Sequence, residues 1–161
     1  MDKLIKSIYS PEHARKWDKG LIDSKVEPLR GESKSCFYSY TCYKGSLGLD
    51  SRDFYEKAIA FEHNGKYYRY SAFVPNSSEL GPNGEPIRTD LPTAKTIRGR
   101  TLINVGIIER VENGEIHVKT LAQCDMGMKV MATLANKAVT TTTKKWYTDV
   151  NKYYMANRKN L

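Results

Sequence analysis

Cysteine is scarce in this chain: Cys36, Cys42 and Cys124 are the only three among 161 residues. An odd number at no metal-binding spacing argues against a disulfide scaffold or a thiolate zinc module, and predicts buried, reduced thiols in a cytosolic protein. Long apolar runs are missing too, since none approaches the roughly 20 residues of a membrane span. At the amino terminus Asp2, Lys3 and Lys6 interrupt Leu4, Ile5 and Ile8, which is too charged for a secretory signal. No glycine-rich phosphate cradle follows a strand. His13, His63 and His117 fall in separate elements without a nucleophile-base motif. The carboxylates Asp50 with Asp53, and Glu109 with Glu112, are sequence neighbours that need no acid-base role. The expectation is a protein that is not an enzyme and holds no metal or cofactor.

What is present is a globular composition, with 40% hydrophobic residues, 27% charged residues and eleven tyrosines. The length fits a single domain over residues 1–161, long enough for a core without covalent staples. Lysine and arginine number 26 against 18 acids, a net charge of +8 that favours an anionic partner. The basic residues are dispersed, apart from the tail Lys144, Lys145, Lys152, Arg158 and Lys159, and no arginine-rich arm accompanies them. We therefore expect no nucleic acid, and transient contact with an anionic membrane surface instead.

Periodicity divides the chain into helix, sheet and helix. Leu4, Ile5 and Ile8 recur at helical spacing, and Ser10-Pro11-Glu12 opens a second short helix running to about Lys19, before Gly20. From there the pattern is β-rich, predicting strands over Leu21–Leu29, Ser35–Tyr43, Asp53–Glu62, Lys66–Val74, Thr96–Val111 and Glu115–Cys124. Asn64-Gly65 and Asn113-Gly114 are hairpin signals, so the strands beside them should be antiparallel. The segment Pro75–Thr93, with four prolines, reads as a long surface loop. From Met128 to about Arg158 apolar residues return at helical spacing, with the β-branched run Thr140–Thr143 a candidate kink. The small residues Ala135, Ala138 and Thr142 on that helix either pack closely on the sheet or leave a cavity above it.

Four stretches carry a family resemblance. Ser10–Trp17-Asp18 followed by Ser24-Lys25-Val26, then Ser51-Arg52-Asp53-Phe54, then Arg98 with Gly106–Arg110, and finally Cys124-Asp125-Met126-Gly127 with Leu134 and Asn136 occur in an order similar to START domains, the steroidogenic acute regulatory protein-related lipid-transfer family. The resemblance implies an α+β helix-grip fold, in which a curved antiparallel sheet of about six strands wraps a long C-terminal helix and encloses a tunnel for one lipid. The family's first helix and first three strands have no counterpart, so Glu115–Cys124 should lie at an exposed edge. The arginine that sterol-binding members carry six residues after the arginine of Arg-Asp-Phe is replaced by Ala58, and the phosphatidylcholine-type partner of Asp18 is replaced by Ala14. Neither ligand code is complete, which implies weak selectivity for either lipid.

Strand alternation and the inward helix face give Tyr38, Tyr40, Phe54, Ala58, Ile103, Val105, Met131, Leu134, Ala138 and Thr142 as expected lining, with strand faces that reverse on a one-residue register error. The expected gate combines Leu47 and Leu49 in a glycine-bearing loop with Lys144 and Lys145 at the membrane. The expected function is non-enzymatic binding of one lipid, a sterol, phospholipid or other amphiphile, and its transfer or sensing by a cytoplasmic protein that meets membranes peripherally. Two rivals stand beside it: a helix-grip enzyme such as a polyketide cyclase or aromatase, and a protein-interaction fragment without a working pocket.

Overall fold

The computed structural model describes residues 1–29, 35–45, 50–74, 96–127 and 132–161, with side chains in the last segment from residue 140 onward. The chain opens with two short helices, α1 (Asp2–Tyr9) and α2 (Pro11–Trp17). Ser10 is extended between them, and Pro11, which lacks an amide hydrogen, takes the first turn of α2 where none is needed. The strands follow: β1 (Leu21–Pro28), β2 (Cys36–Tyr43), β3 (Arg52–His63), β4 (Lys66–Phe73), β5 (Ile97–Arg98), β6 (Arg100–Arg110) and β7 (Ile116–Asp125). Helix α3 (Ala132–Asn157) closes the chain and runs unbroken through Thr140–Thr143, so the β-branched run does not end it. The expected loop Pro75–Thr93 lies outside the described residues.

The curved sheet has the order β1-β2-β3-β4-β6-β7, antiparallel throughout, with β5 added in parallel to β3. The expected strand from Thr96 is thus split at Gly99. A side chain at Gly99 would collide with the Phe54 ring, so the close approach of β5 to β3 requires glycine there. The β3–β4 turn has positive φ at both Asn64 (48°) and Gly65 (70°), the tight hairpin expected of this pair. The β6–β7 turn differs, because only Gly114 is left-handed and the Val111 amide donates to the Glu115 carbonyl across a wider loop. β7 forms an edge of the sheet and is exposed from Lys119 to Asp125.

Register assigns the two faces. On the inner face, under the helices, Leu4, Ile8, Ala14, Trp17, Ile108 and Val150 form the main core. The Trp17 indole donates to the Ser7 carbonyl at 2.8 Å and meets Trp146 of α3 edge-on, with ring centroids 5.5 Å apart. On the outer face Tyr38, Tyr40, Cys42 and Tyr55 form a second cluster. Asp53 is fully buried there and receives a bidentate Arg98 guanidinium, both contacts at 2.8 Å. This pair crosses from β3 to β5. The Arg52 side chain turns the other way and donates from Nε to the Met126 carbonyl at 2.9 Å, holding the end of β7.

No described helix is long and apolar enough to cross a membrane. Two predictions follow from the charge pairs. Arg98→Met strips the partner from a buried carboxylate, and should cost about 3 kcal/mol in urea unfolding; Asp53→Asn, which leaves a partly exposed arginine, should cost less. Glu109 accepts from Lys119 at 2.5 Å and pairs with Lys66 at 2.7 Å. These contacts hold its carboxyl down at about 2. A depressed folded-state value stabilises above the ordinary carboxylate range and is lost as pH falls toward it. Thermal melts of Glu109→Gln should therefore lose less stability than wild type between neutral pH and pH 2.

Candidate functional site

The inner face leaves space beneath α3 because its central rows carry short side chains. One row runs Phe37, Ala58, Ser71, Asn104, Ala122 across five strands, and the next runs Ala60, Arg69, Gly106, Thr120. With only alanine and glycine beside it in its own row, Arg69 can extend along the sheet past Ala58. It donates to Ser71 Oγ at 3.3 Å and reaches the Glu56 carboxylate at 3.6 Å. Both charged residues are more than nine-tenths buried. The Arg69 guanidinium lies 5.2 Å from the Tyr9 ring centroid and 5.8 Å from that of Phe37, within cation–π range.

Two adjoining recesses occupy this space. The first, about 360 Å³, lies over the sheet centre and is lined by Val26, Phe37, Ser39, Arg69, Asn104 and Ala122 below and by Thr142, Thr143, Trp146 and Tyr147 of α3 above. The second, about 550 Å³, lies toward the α2–β1 turn, between Trp17, Asp18, Tyr43, Arg52, Phe54, Met126 and α3. They share Tyr43, Thr142, Thr143 and Trp146. Asp18 accepts from the Gly20 amide at 2.9 Å, and burial raises its carboxyl above the ordinary range. Lys145 and Asp149, paired one turn apart on α3, flank the same recess.

Burial pushes the Tyr9 hydroxyl up to about 12 and that of Tyr43 higher still, so both stay protonated near neutral pH. The histidines lie elsewhere: His13 hydrogen-bonds the Tyr153 hydroxyl at 2.9 Å, His63 ends β3, and His117 lies on the outer face of β7. Among the described residues no group of three His, Cys, Asp or Glu side chains could hold a metal ion.

The comparison with known folds bears directly on this arrangement. No protein-family model matches the sequence, and no curated protein sequence matches it either. Human STARD10 superposes with a TM-score of 0.73 at 17% identity, over 99% of this chain and 61% of that one. The chain has the START fold. Human StAR-related lipid transfer protein 5 gives 0.77 at 11% identity over 98% and 71%. A fragment of a STAR-related lipid transfer protein from Xanthomonas axonopodis gives 0.65 at 14%, over 94% and 77%. The chain thus spans less than two thirds of the STARD10 structure. At these identities the likeness concerns the fold: a curved antiparallel sheet, here of seven strands, gripping a C-terminal helix.

Within that fold the expected lining divides. Phe54 and Thr142 line the recesses, and Ala58 is buried on the inner face. Tyr38 and Tyr40 do not join them; they point to the outer face, where Tyr38 stacks on Tyr55 at 5.4 Å. Ile103 and Val105 are corrected likewise, since Val105 pairs with Tyr70 and Leu121 on the outer face, and Ile103 is 40% exposed there. The reason is physical. β2 carries large side chains on both faces, and β6 shifts register against β7 between Thr101 and Ile103, so an apolar-means-inward reading selects the wrong face. Lys144 and Lys145 are exposed on α3. Leu47, Leu49 and Met131 lie outside the described residues, as do the side chains of Leu134 and Ala138.

Sequence reasoning missed Arg69, Glu56, Tyr9 and Tyr43. A signal existed: Arg69 and Glu56 are opposite charges in neighbouring aromatic-rich strands, at positions a correct register puts on one face. Tyr9 covers Arg69, and a Cβ on Gly106 would collide with the Tyr9 hydroxyl. Gly106→Ala should therefore cost about 1 kcal/mol and Tyr9→Phe should relieve it, a coupling that a double-mutant cycle of urea midpoints reads directly; additive effects would reject the contact.

Proposed function

We propose that this chain binds one lipid molecule in the space between the sheet and α3, and carries it between membranes as a non-enzymatic cytoplasmic protein. The observation that carries the reading is the pair of adjoining recesses, with aromatic and aliphatic walls and a confined polar floor, where a close-packed domain would have core. Apolar walls with a few convergent polar groups suit an amphiphile. Carriage needs such shielding, because each methylene exposed to water costs about 0.8 kcal/mol. The START fold, shared with proteins named for lipid transfer, supports the same reading. Carriage is favoured over cyclase or aromatase chemistry because the walls are largely aromatic and aliphatic and, among the described residues, no histidine lines either recess. In this reading Lys144 and Lys145 meet anionic headgroups, each contributing on the order of 1 kcal/mol near the surface, while Leu47 and Leu49 enter the bilayer.

Native mass spectrometry of the purified chain, followed by extraction, should show one lipid per chain. Thr142→Trp, placed where both recesses meet, should fill ligand space and weaken binding of a fluorescent lipid about tenfold, a loss of about 1.4 kcal/mol, with an unchanged melting temperature. Absence of any copurified lipid together with no binding of added lipid by the wild type rejects the proposal.

A further inference from the structure

Beyond lipid binding, and independently of it, we propose that the edge strand β7 joins two copies of this chain, antiparallel across a two-fold axis at Leu121, into one continuous sheet. Among the described residues β7 pairs on one side only, with β6. The two edges of the sheet are finished differently. β1 carries Asp23, Lys25 and Glu27, ends at Pro28, and its Ser24 carbonyl accepts from Arg15 of α2 at 2.7 Å. Charges, a proline and a covering side chain are means of keeping an edge from pairing. β7 has ten residues without a proline, and its register shift against β6 puts the extra residue, Leu102, in β6 rather than in the edge. Its one lysine, Lys119, is held by Glu109 of β6. A strand so finished offers its backbone donors and acceptors to another strand.

The side chains of β7 fit a second copy of β7. On the outer face the apolar row Ile59, Tyr70, Val105, Leu121 crosses four strands and stops at the edge. Leu121 is 63% exposed there, and Ile59 and Tyr70 are exposed behind it. Residues directly opposite in an antiparallel pair share a face, so the axis of a symmetric pair passes through one residue and its copy. With Leu121 on the axis, the apolar row runs unbroken into the second sheet. Lys119 then faces Gln123 of the second copy and His117 faces its Asp125, so no like charges meet. A register moved two residues one way sets Glu115 against Asp125 and Lys119 against Leu121; moved the other way, it sets Leu121 against Gln123. Like charges directly opposite one another are destabilising. A two-fold contact uses each favourable pair twice. On the inner face α3 packs its backbone on α1 and α2 and reaches β7 through the Tyr147 hydroxyl, 2.9 Å from Thr120 Oγ1.

The test is analytical ultracentrifugation of the full chain at neutral pH between about 1 and about 200 μM, the range in which an interface of modest area associates. The wild type should approach twice the 18.4 kDa of one chain as concentration rises. Leu121→Lys brings two like charges together on the axis and should weaken association about tenfold or more. Gln123→Glu places a carboxylate opposite Lys119 at two symmetric points and should tighten association about threefold or more. Both positions are exposed, so the melting temperatures of dilute samples should match the wild type. A wild type that stays monomeric throughout overturns the proposal, whether or not either variant folds. A dimer indifferent to Leu121→Lys uses another surface, and overturns it too. A dimer that Gln123→Glu leaves unchanged or weakens has another register, and overturns the placement of the axis. None of these outcomes bears on lipid binding.

Discussion

The gap between sheet and helix is set by the girth of a few inward side chains. An α-helix packed on a sheet ordinarily sinks until large side chains fill the interface, since interiors are packed as densely as organic crystals. Here Trp17, Trp146, Ile108 and Val150 hold α3 at one level near the α1–α2 end. Along the middle of the sheet the floor then drops away, because Ala58, Ser71, Gly106, Thr120 and Ala122 are too short to reach the helix. Aromatic pillars beside small floor residues leave a recess that collapse cannot close without breaking the tryptophan contact.

The outer face meets a different demand. β5 is two residues long and pairs with β3 at Arg52 and Asp53, so backbone pairing gives it little. The bidentate Arg98–Asp53 contact supplies a directional bond where area is lacking, in the geometry that a guanidinium offers a carboxylate. Its neighbour Arg52 works in the opposite direction, bonding the Met126 carbonyl from the inner side. Two consecutive residues thus fasten the two ends of the β5–β7 region, one on each face. This explains why Arg-Asp-Phe reads as a compact signature: Phe54, the third member, closes over Gly99 and walls the larger recess.

Much of this was legible in the sequence. The order of elements, both Asn-Gly turns and the long last helix followed from period and turn chemistry, because those signals are local. Phe54, Ala58 and Thr142 were also placed on the inner side. The failures share one cause. In β6 Asn104 and Gly106 lie on the inner face and Asn104 lines the recess, while Ile103, Val105 and Ile107 face outward. In β2 Ser39 faces inward and Tyr38 and Tyr40 outward. A rule that sends apolar residues to the core describes a packed core. It inverts where the inner face is the polar floor of a recess and the outer face carries its own aromatic cluster.

That inversion bears on the buried charges. Taking a guanidinium and a carboxylate out of water costs more than their mutual attraction commonly returns, and well-packed apolar residues of similar volume serve stability at least as well. A contact of 3.6 Å with a single hydrogen bond to Ser71 is far from the geometry that makes a buried pair favourable, as the 2.8 Å contacts of Arg98 and Asp53 show within the same sheet. One pair is built as a structural bond. The other is built loosely, with spare donors, under a recess and between two aromatic rings. Groups that sacrifice stability in this way cluster at functional sites, and Arg69, which lines the smaller recess, is such a group.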